Sequence, residues 1–137
     1  MDAINPDYYR PDGLGFECID LTERYPFNAG NAIKYMFRLD GKDTPARNVR
    51  KAQWYARRAQ RRGERFQPIR REDMDGAALM LRILADHDHQ HAAPFWRAML
   101  ACLTGDADGD GVAAALDAMA DRVGADDDTN EQKEEGR

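Results

Sequence analysis

Apolar residues recur along this chain at three- and four-residue spacing, and no six-residue stretch alternates apolar with polar as a half-buried strand would. The spacing predicts an all-α protein. A first helix over 14–25 turns Phe16 and Ile19 inward, with Cys18 a further core candidate, and sets Glu17, Asp20 and Glu23 to one side before Pro26 stops it. A second, over 29–40, follows an Asn28 N-cap and carries Ile33, Met36 and Phe37 as its apolar stripe. Gly30 in its first turn costs up to about 1 kcal/mol against alanine but lets a neighbouring helix or a ligand approach the backbone. The N–H groups of such a helix start are also a natural phosphate seat.

Gly41–Pro45 (GKDTP) superficially resembles the GKS or GKT of a phosphate-binding loop, but the upstream glycine spacing is wrong and a helix precedes it. It reads instead as punctuation, with Thr44 capping and Pro45 at the first position of a third helix over 46–62. That helix has a narrow stripe of small residues, Val49, Ala52, Ala56 and Ala59, suited to close packing, and an opposite face that is basic. Beyond Gly63 and an irregular stretch to Arg71, three more helices are predicted. They span 72–86 (Met74, Ala78, Leu81, Ala85, widened by Leu79, Ile83 and Leu84), 94–103 (Phe95, Trp96, Met99, Leu103) and 112–123 (Leu116, Met119, Ala120, Val123). The expected architecture is a compact bundle of about five or six helices. One domain spans 1–124, with a core over 5–62 and additional helices over 72–124, and an acidic tail over 125–137 reads as disordered by composition.

Composition narrows the class. At 137 residues the chain can bury a core without metal or disulfide staples. Cys18 and Cys102 lie in apolar helical patterns without C-x-x-C spacing, which favours buried free thiols, although a disulfide between them is open. No run of 18 apolar residues occurs and the first residues are polar, so the expectation is a soluble cytoplasmic protein with no membrane partner.

Charge is unevenly spread. Residues 46–71 hold ten Lys/Arg and one Glu, a balance of +9, whereas the whole chain is −5 with a pI near 5.2. A basic helix with Trp54 and Tyr55 embedded in it has the look of a nucleic-acid-binding helix. The net acidity opposes long-range attraction to a polyphosphate unless the charges are strongly segregated in space, so nucleic acid is the less favoured partner.

Asn31, Lys34 and Arg38 share one face of the second helix at i, i+3 and i+7, and Asn48, Lys51, Tyr55 and Arg58 repeat that geometry on the third. Amides, cations of two shapes and an aromatic ring are what a mononucleotide requires: charge for phosphate, hydrogen bonds for base or sugar, a ring for stacking. The same letters also describe the wet faces of two amphipathic helices.

The order and spacing of PDYY (6–9), GFECID (15–20), FNAGNAIKYMFR (27–38) and NVRKAQWYARR (48–58) add to this. The string resembles a family of small phage proteins described as nucleotide kinase-like or SaV-like, whose members carry a Y, an E-x-I-D helix, a GNxxKYxxR helix and a D-xx-KAxxY helix. The resemblance covers residues 5–58 and implies a helical protein of the infected bacterial cytoplasm that binds a nucleotide. It further implies a deoxynucleoside monophosphate kinase without a Walker motif, using Mg²⁺ and ATP. On that reading Lys34, Arg38 and Lys51 act on phosphate; Tyr9, Asn31, Tyr35, Asn48 and Tyr55 hold the nucleotide; and Glu17 or Asp20 carries Mg²⁺. Asn48 stands where that family usually has aspartate, which weakens a metal role and slightly favours sequestering a nucleotide or cyclic-nucleotide signal without turnover. A third reading is a helical module that binds a protein through the basic helix. The small-residue stripe would serve packing within the chain or in a homo-oligomer.

Two further clusters admit metal. His87, His89 and His91 fall within five residues, the first and last at the i, i+4 spacing of a zinc pair, or they are the solvated end of a helix. Asp106, Asp108, Asp110, Gly111 and Asp117 match positions 1, 3, 5, 6 and 12 of a calcium loop, or they form a Gly/Asp turn that starts the last helix.

Overall fold

The computed structural model describes residues 13–105 and 109–124. Six α-helices follow in order: α1 Cys18–Thr22, α2 Phe27–Phe37, α3 Pro45–Arg61, α4 Met74–Asp86, α5 Ala93–Cys102 and α6 Gly109–Val123, with single 3₁₀ turns at Arg71–Asp73 and His89–His91. No strand occurs among the described residues, so the expected all-α class holds. Tyr9, Asp106, Asp108 and the acidic tail lie outside them.

α2 and α3 pack antiparallel as the most extensive pair, α3 lies on α6, α5 joins α4 to α6, and α1 rests on α2. Thr44 and Pro45 start α3 as expected: Thr44 Oγ1 accepts from Arg47 N at 3.1 Å. Val49, Ala52, Ala56 and Ala59 are all buried, so the small-residue stripe is used inside the chain. The centre is filled by Phe37, Phe95 and Trp96 with Leu21, Ile33, Met36, Leu81, Leu84, Met99, Leu116 and Met119. These apolar groups supply the main driving force for assembly.

The first helix is shorter than its pattern predicts. Gly15 takes a left-handed φ of +83°, which an α-helix cannot include, and Glu17 becomes the N-cap. The inward face is therefore Cys18, Leu21 and Tyr25, and Ile19, expected inward, is 53% exposed. α2 likewise starts two residues early, after Pro26, so Asn28 lies inside its first turn instead of capping it. α4 is rotated from its expected phase: Ala77, Met80, Leu81, Leu84 and Ala85 are buried, and Leu79 is 56% exposed.

Both ends of α2 are held by distant side chains. At its N-terminus Glu64 receives Ala29 N at 2.7 Å and Asn28 Nδ2 at 2.9 Å, so a protein carboxylate sits in the seat expected for phosphate. A Cβ on Gly30 would lie 3.1 Å from the Thr22 carbonyl oxygen; the glycine is there for the close approach of a helix, not of a ligand. At the C-terminus the fully buried Asn48 shares its amide N–H groups among the carbonyls of Lys42 (2.6 Å), Leu39 (3.1 Å) and Arg38 (3.4 Å). An aspartate there would set an anion against those oxygens.

The histidine turn completes this end. Asp88, Gln90 and His91 all have positive φ (48°, 57° and 59°), a strained path for residues with a Cβ. The strain is offset by bonds to α2 and its exit: His89 Nε2 with the Phe37 carbonyl at 2.9 Å, Asp40 N donating to Gln90 Oε1, and His91 Nδ1 with Asp40 Oδ2 at 2.8 Å. Trp96 Nε1 and Arg122 bond to the carbonyls of His89 and His91.

Candidate functional site

Antiparallel packing of α2 on α3 brings a little over one turn of each helix, residues 34–38 and 51–55, into one cluster. Tyr35 and Tyr55, one from each helix, stack with centroids 5.9 Å apart and planes 16° apart. Around the Tyr35 ring stand Arg38 Cζ at 4.6 Å, Lys34 Nζ at 5.1 Å and Lys51 Nζ at 5.5 Å from its centroid. Five of the residues picked out from sequence thus meet in space: Lys34, Tyr35, Arg38, Lys51 and Tyr55.

Each cation has a different local setting. Lys34 and Arg38 are at the last turn of α2 and its C-cap, where the helix dipole favours positive charge. Lys51 lies in the second turn of α3, and with Arg47 and Arg50 it crowds the end of a helix dipole that disfavours cations; no acidic residue occupies the first turn of α3. Asp43, held at φ +61°, is 3.8 Å from Arg47 and 4.0 Å from Lys51 and so offsets part of that charge. Lys34 forms no ion pair with a described residue. Its pKa is lowered, first by partial burial and then by the neighbouring cations Arg38, Lys42 and Lys51. A lysine held short of negative charge among other cations gains most from an incoming anion.

Aromatic contacts extend the cluster outward. Phe27, 73% exposed, meets the Tyr55 ring edge-on at 6.3 Å; Trp54 meets it at 5.0 Å; and the Arg58 guanidinium lies 5.7 Å from the Trp54 ring. Phe27 and Asp43 were not among the residues singled out from sequence. The signal for Asp43 was its place before Thr-Pro, where its carboxylate accepts from Thr44 N at 2.9 Å at the start of α3. For Phe27 there was none, since an aromatic after proline at a helix start ordinarily packs inward.

The other expected site residues are used elsewhere. Asn31 donates its side-chain N–H to the Phe27 carbonyl at 2.8 Å, a bond within α2. Asn48 is 0% exposed and ties α3 to the end of α2. Glu17 and Asp20, the proposed Mg²⁺ carriers, form a reciprocal capping box on α1, with Glu17 N donating to Asp20 Oδ2 at 2.8 Å. Cys18 is buried beside Lys34 and Arg38, and burial pushes its thiol up to about 12, so it is no nucleophile.

The histidines separate: His87 bonds to the Ile83 carbonyl, His89 is buried against Phe37 and Trp96, and His91 pairs with Asp40. Asp110 and Asp117, two members of the calcium-like string, accept from Gln60 and Gln53 of α3 at 2.9 and 2.8 Å. No group of three His, Cys, Asp or Glu side chains among the described residues is placed to hold a metal ion.

The fold and cluster define a small helical protein with a cationic, aromatic face on its central helix pair. A family model for proteins of unknown function, DUF3310, matches residues 4–57, a stretch that includes Lys34, Tyr35, Arg38, Lys51 and Tyr55. No curated protein and no solved structure matches the chain. The matched family carries no nucleotide assignment, so a nucleotide reading rests on the geometry of the cluster. No helix among the described residues is long and apolar enough to cross a membrane.

Proposed function

We propose that the α2–α3 face binds a nucleotide, its phosphate held by Lys34, Arg38 and Lys51 and its base laid against the Tyr35–Tyr55–Trp54 aromatic group. The observation that carries this reading is the placement of three cations within 4.6–5.5 Å of one tyrosine centroid, with Lys34 lacking an ion pair among the described residues. Cation–π contacts, about 0.5–2 kcal/mol each, offset only part of the cost of gathering like charges, and a phosphate would bring the negative charge that Lys34 lacks. Aromatic rings beside the cations favour an anion with a flat base over inorganic phosphate alone.

Binding without turnover is the form we favour. Phosphoryl transfer with ATP would require a held Mg²⁺, and the carboxylates offered for it, Glu17 and Asp20, are committed to the start of α1. The test is thermal shift against deoxynucleoside mono- and triphosphates and cyclic nucleotides, each then incubated with Mg²⁺-ATP and chromatographed. A nucleotide at a hundredfold excess over its Kd stabilises by about 2.7 kcal/mol, a rise in Tm of roughly 10 °C for a domain this size. The expected outcome is such a shift with the nucleotide recovered unchanged. Conversion to a higher phosphate would make the protein a kinase, and no shift with any nucleotide would remove the reading and leave a protein-binding module.

A further inference from the structure

The cationic face does not stop at the cluster. Around α3, Lys51, Trp54, Tyr55, Arg58, Arg61 and Arg62 fall within about a third of the helix circumference at 100° per residue. The buried stripe of Ala52, Ala56 and Ala59 lies on one side of that sector. On the other, Gln53, Arg57 and Gln60 turn toward α6 and take up its carboxylates: Asp117 bonds to Gln53 and lies 3.6 Å from Arg57, and Asp110 bonds to Gln60. Two carboxylates of α6 are thus engaged on the far flank of the helix. None of Arg58, Arg61 and Arg62 forms an ion pair with a described residue. Basic charge is thus gathered on one sector of α3, and a local positive field of that kind weakens the objection to a polyanionic ligand drawn from the net charge.

The rings follow the same line. From the exposed Phe27 the aromatic contacts run through Tyr55 to Tyr35 on one side and to Trp54 and the Arg58 guanidinium on the other. From Lys51 to Arg62 the stripe extends about 16 Å along the helix at 1.5 Å per residue. A mononucleotide occupies one end of it; successive phosphates of a stacked strand rise about 3.4 Å along its axis and lie farther apart when the bases splay out, so the stripe reaches more than one nucleotide.

We infer that this face takes a short stretch of single-stranded nucleic acid, with the Tyr35–Lys34–Arg38–Lys51 cluster holding one nucleotide and the Trp54–Arg58–Arg62 end engaging its neighbours. The inference rests on the nucleotide reading above and extends it. Unstacked bases present the flat faces that aromatic side chains and guanidinium planes accept, and a duplex hides them. The stripe carries few groups for reading base edges, so recognition is of backbone charge and ring stacking, without sequence preference.

The experiment uses the full chain and fluorescein-labelled oligothymidylates of two, four, eight and twelve nucleotides, read by anisotropy across a salt series, with thermal shift by thymidine monophosphate alongside. Affinity should rise by roughly tenfold or more between the monophosphate and the eight-nucleotide strand, at 1–3 kcal/mol per stacked base, and a twelve-base-pair duplex should bind more weakly than the single strand. Arg61→Gln with Arg62→Gln, both at exposed positions beyond the cluster, should lower the salt slope for the eight-nucleotide strand by about 0.7 for each phosphate no longer neutralised and leave the monophosphate shift intact. A monophosphate shift without any gain from length, or an unchanged salt slope in the double variant, overturns this inference and spares the nucleotide reading. Loss of both ligands overturns the two together.

Discussion

The basic residues of α2 and α3 and the histidines of the α4–α5 turn are both clusters in the sequence, and the fold treats them in opposite ways. Lys34, Arg38 and Lys51, up to 17 positions apart, are drawn around one tyrosine ring, where their mutual repulsion is a cost that the packing does not require. His87, His89 and His91 are neighbours in sequence yet point to three different partners, and every one of those bonds secures a helix end. Proximity in sequence therefore says little about a shared ligand. What separates the two cases is that each histidine has a hydrogen-bond partner within the protein, whereas Lys34 stands among like charges with no ion pair to a described residue.

The comparison breaks most directly at His89. Its ring is buried against Phe37, with centroids 4.5 Å apart, and its Nε2 donates to the Phe37 carbonyl. His89→Ala removes the packing and leaves that carbonyl unpaired, so we expect about 2–4 kcal/mol of lost stability in urea unfolding. Asn48→Ala should follow at about 1–3 kcal/mol, because three carbonyls at the end of α2 lose their donor. A His89→Ala variant as stable as the parent would mean that the turn is not a structural clamp, and the histidines would again be open to another role.

How far the sequence carried this picture depends on where each decision is made. Helix existence was legible throughout, because periodicity is set by the core that the helices share; Thr44 and Pro45 even fixed the start of α3. The phase and ends of α1 and α4 were not, since Gly15 at positive φ and the 3₁₀ turn before Met74 shift the register without altering the apolar content. In the candidate site, the cations and tyrosines at helical spacing were legible because α2 and α3 are straight and adjacent. The bonds that Asn31, Asn48, Glu17 and Asp20 make within the protein were not legible, for one shared reason. Short polar side chains near helix ends bond to local or adjoining backbone, and a sequence does not reveal which carbonyl or N–H will lie beside them.

A smaller effect on stability, and a sharper one on ligand, is expected at Lys34. Lys34→Ala removes a partly buried cation from among Arg38, Lys42 and Lys51 and breaks no ion pair to a described residue. Its unfolding free energy should stay within about 0.5 kcal/mol of the parent or rise slightly, while the nucleotide-induced shift in Tm disappears. A loss of stability like that of His89→Ala would place Lys34 with the structural residues and dissolve the contrast.

The smallest effect is in pH, and its sign differs between two histidines two residues apart. Burial, the larger influence, lowers the pKa of His89, so its contribution is complete above the ordinary value near 6.5 and is lost as pH falls through the lower folded value. His91 is raised by its hydrogen bond to Asp40 and by the charge of that carboxylate, so its contribution is present below 6.5 and lost as pH rises through the higher folded value. The pair at His91 is open to solvent and screened, so its share of stability is slight, but its titration is readable by NMR. Asp40→Asn should bring the His91 midpoint back toward 6.5 and leave His89 titrating below it. The charge of Asp40 raises both histidines, so a downward move of the two is expected; a His89 midpoint at or above 6.5 in the parent would put both on the same side of the ordinary value, and the separation of roles along these five residues would fail.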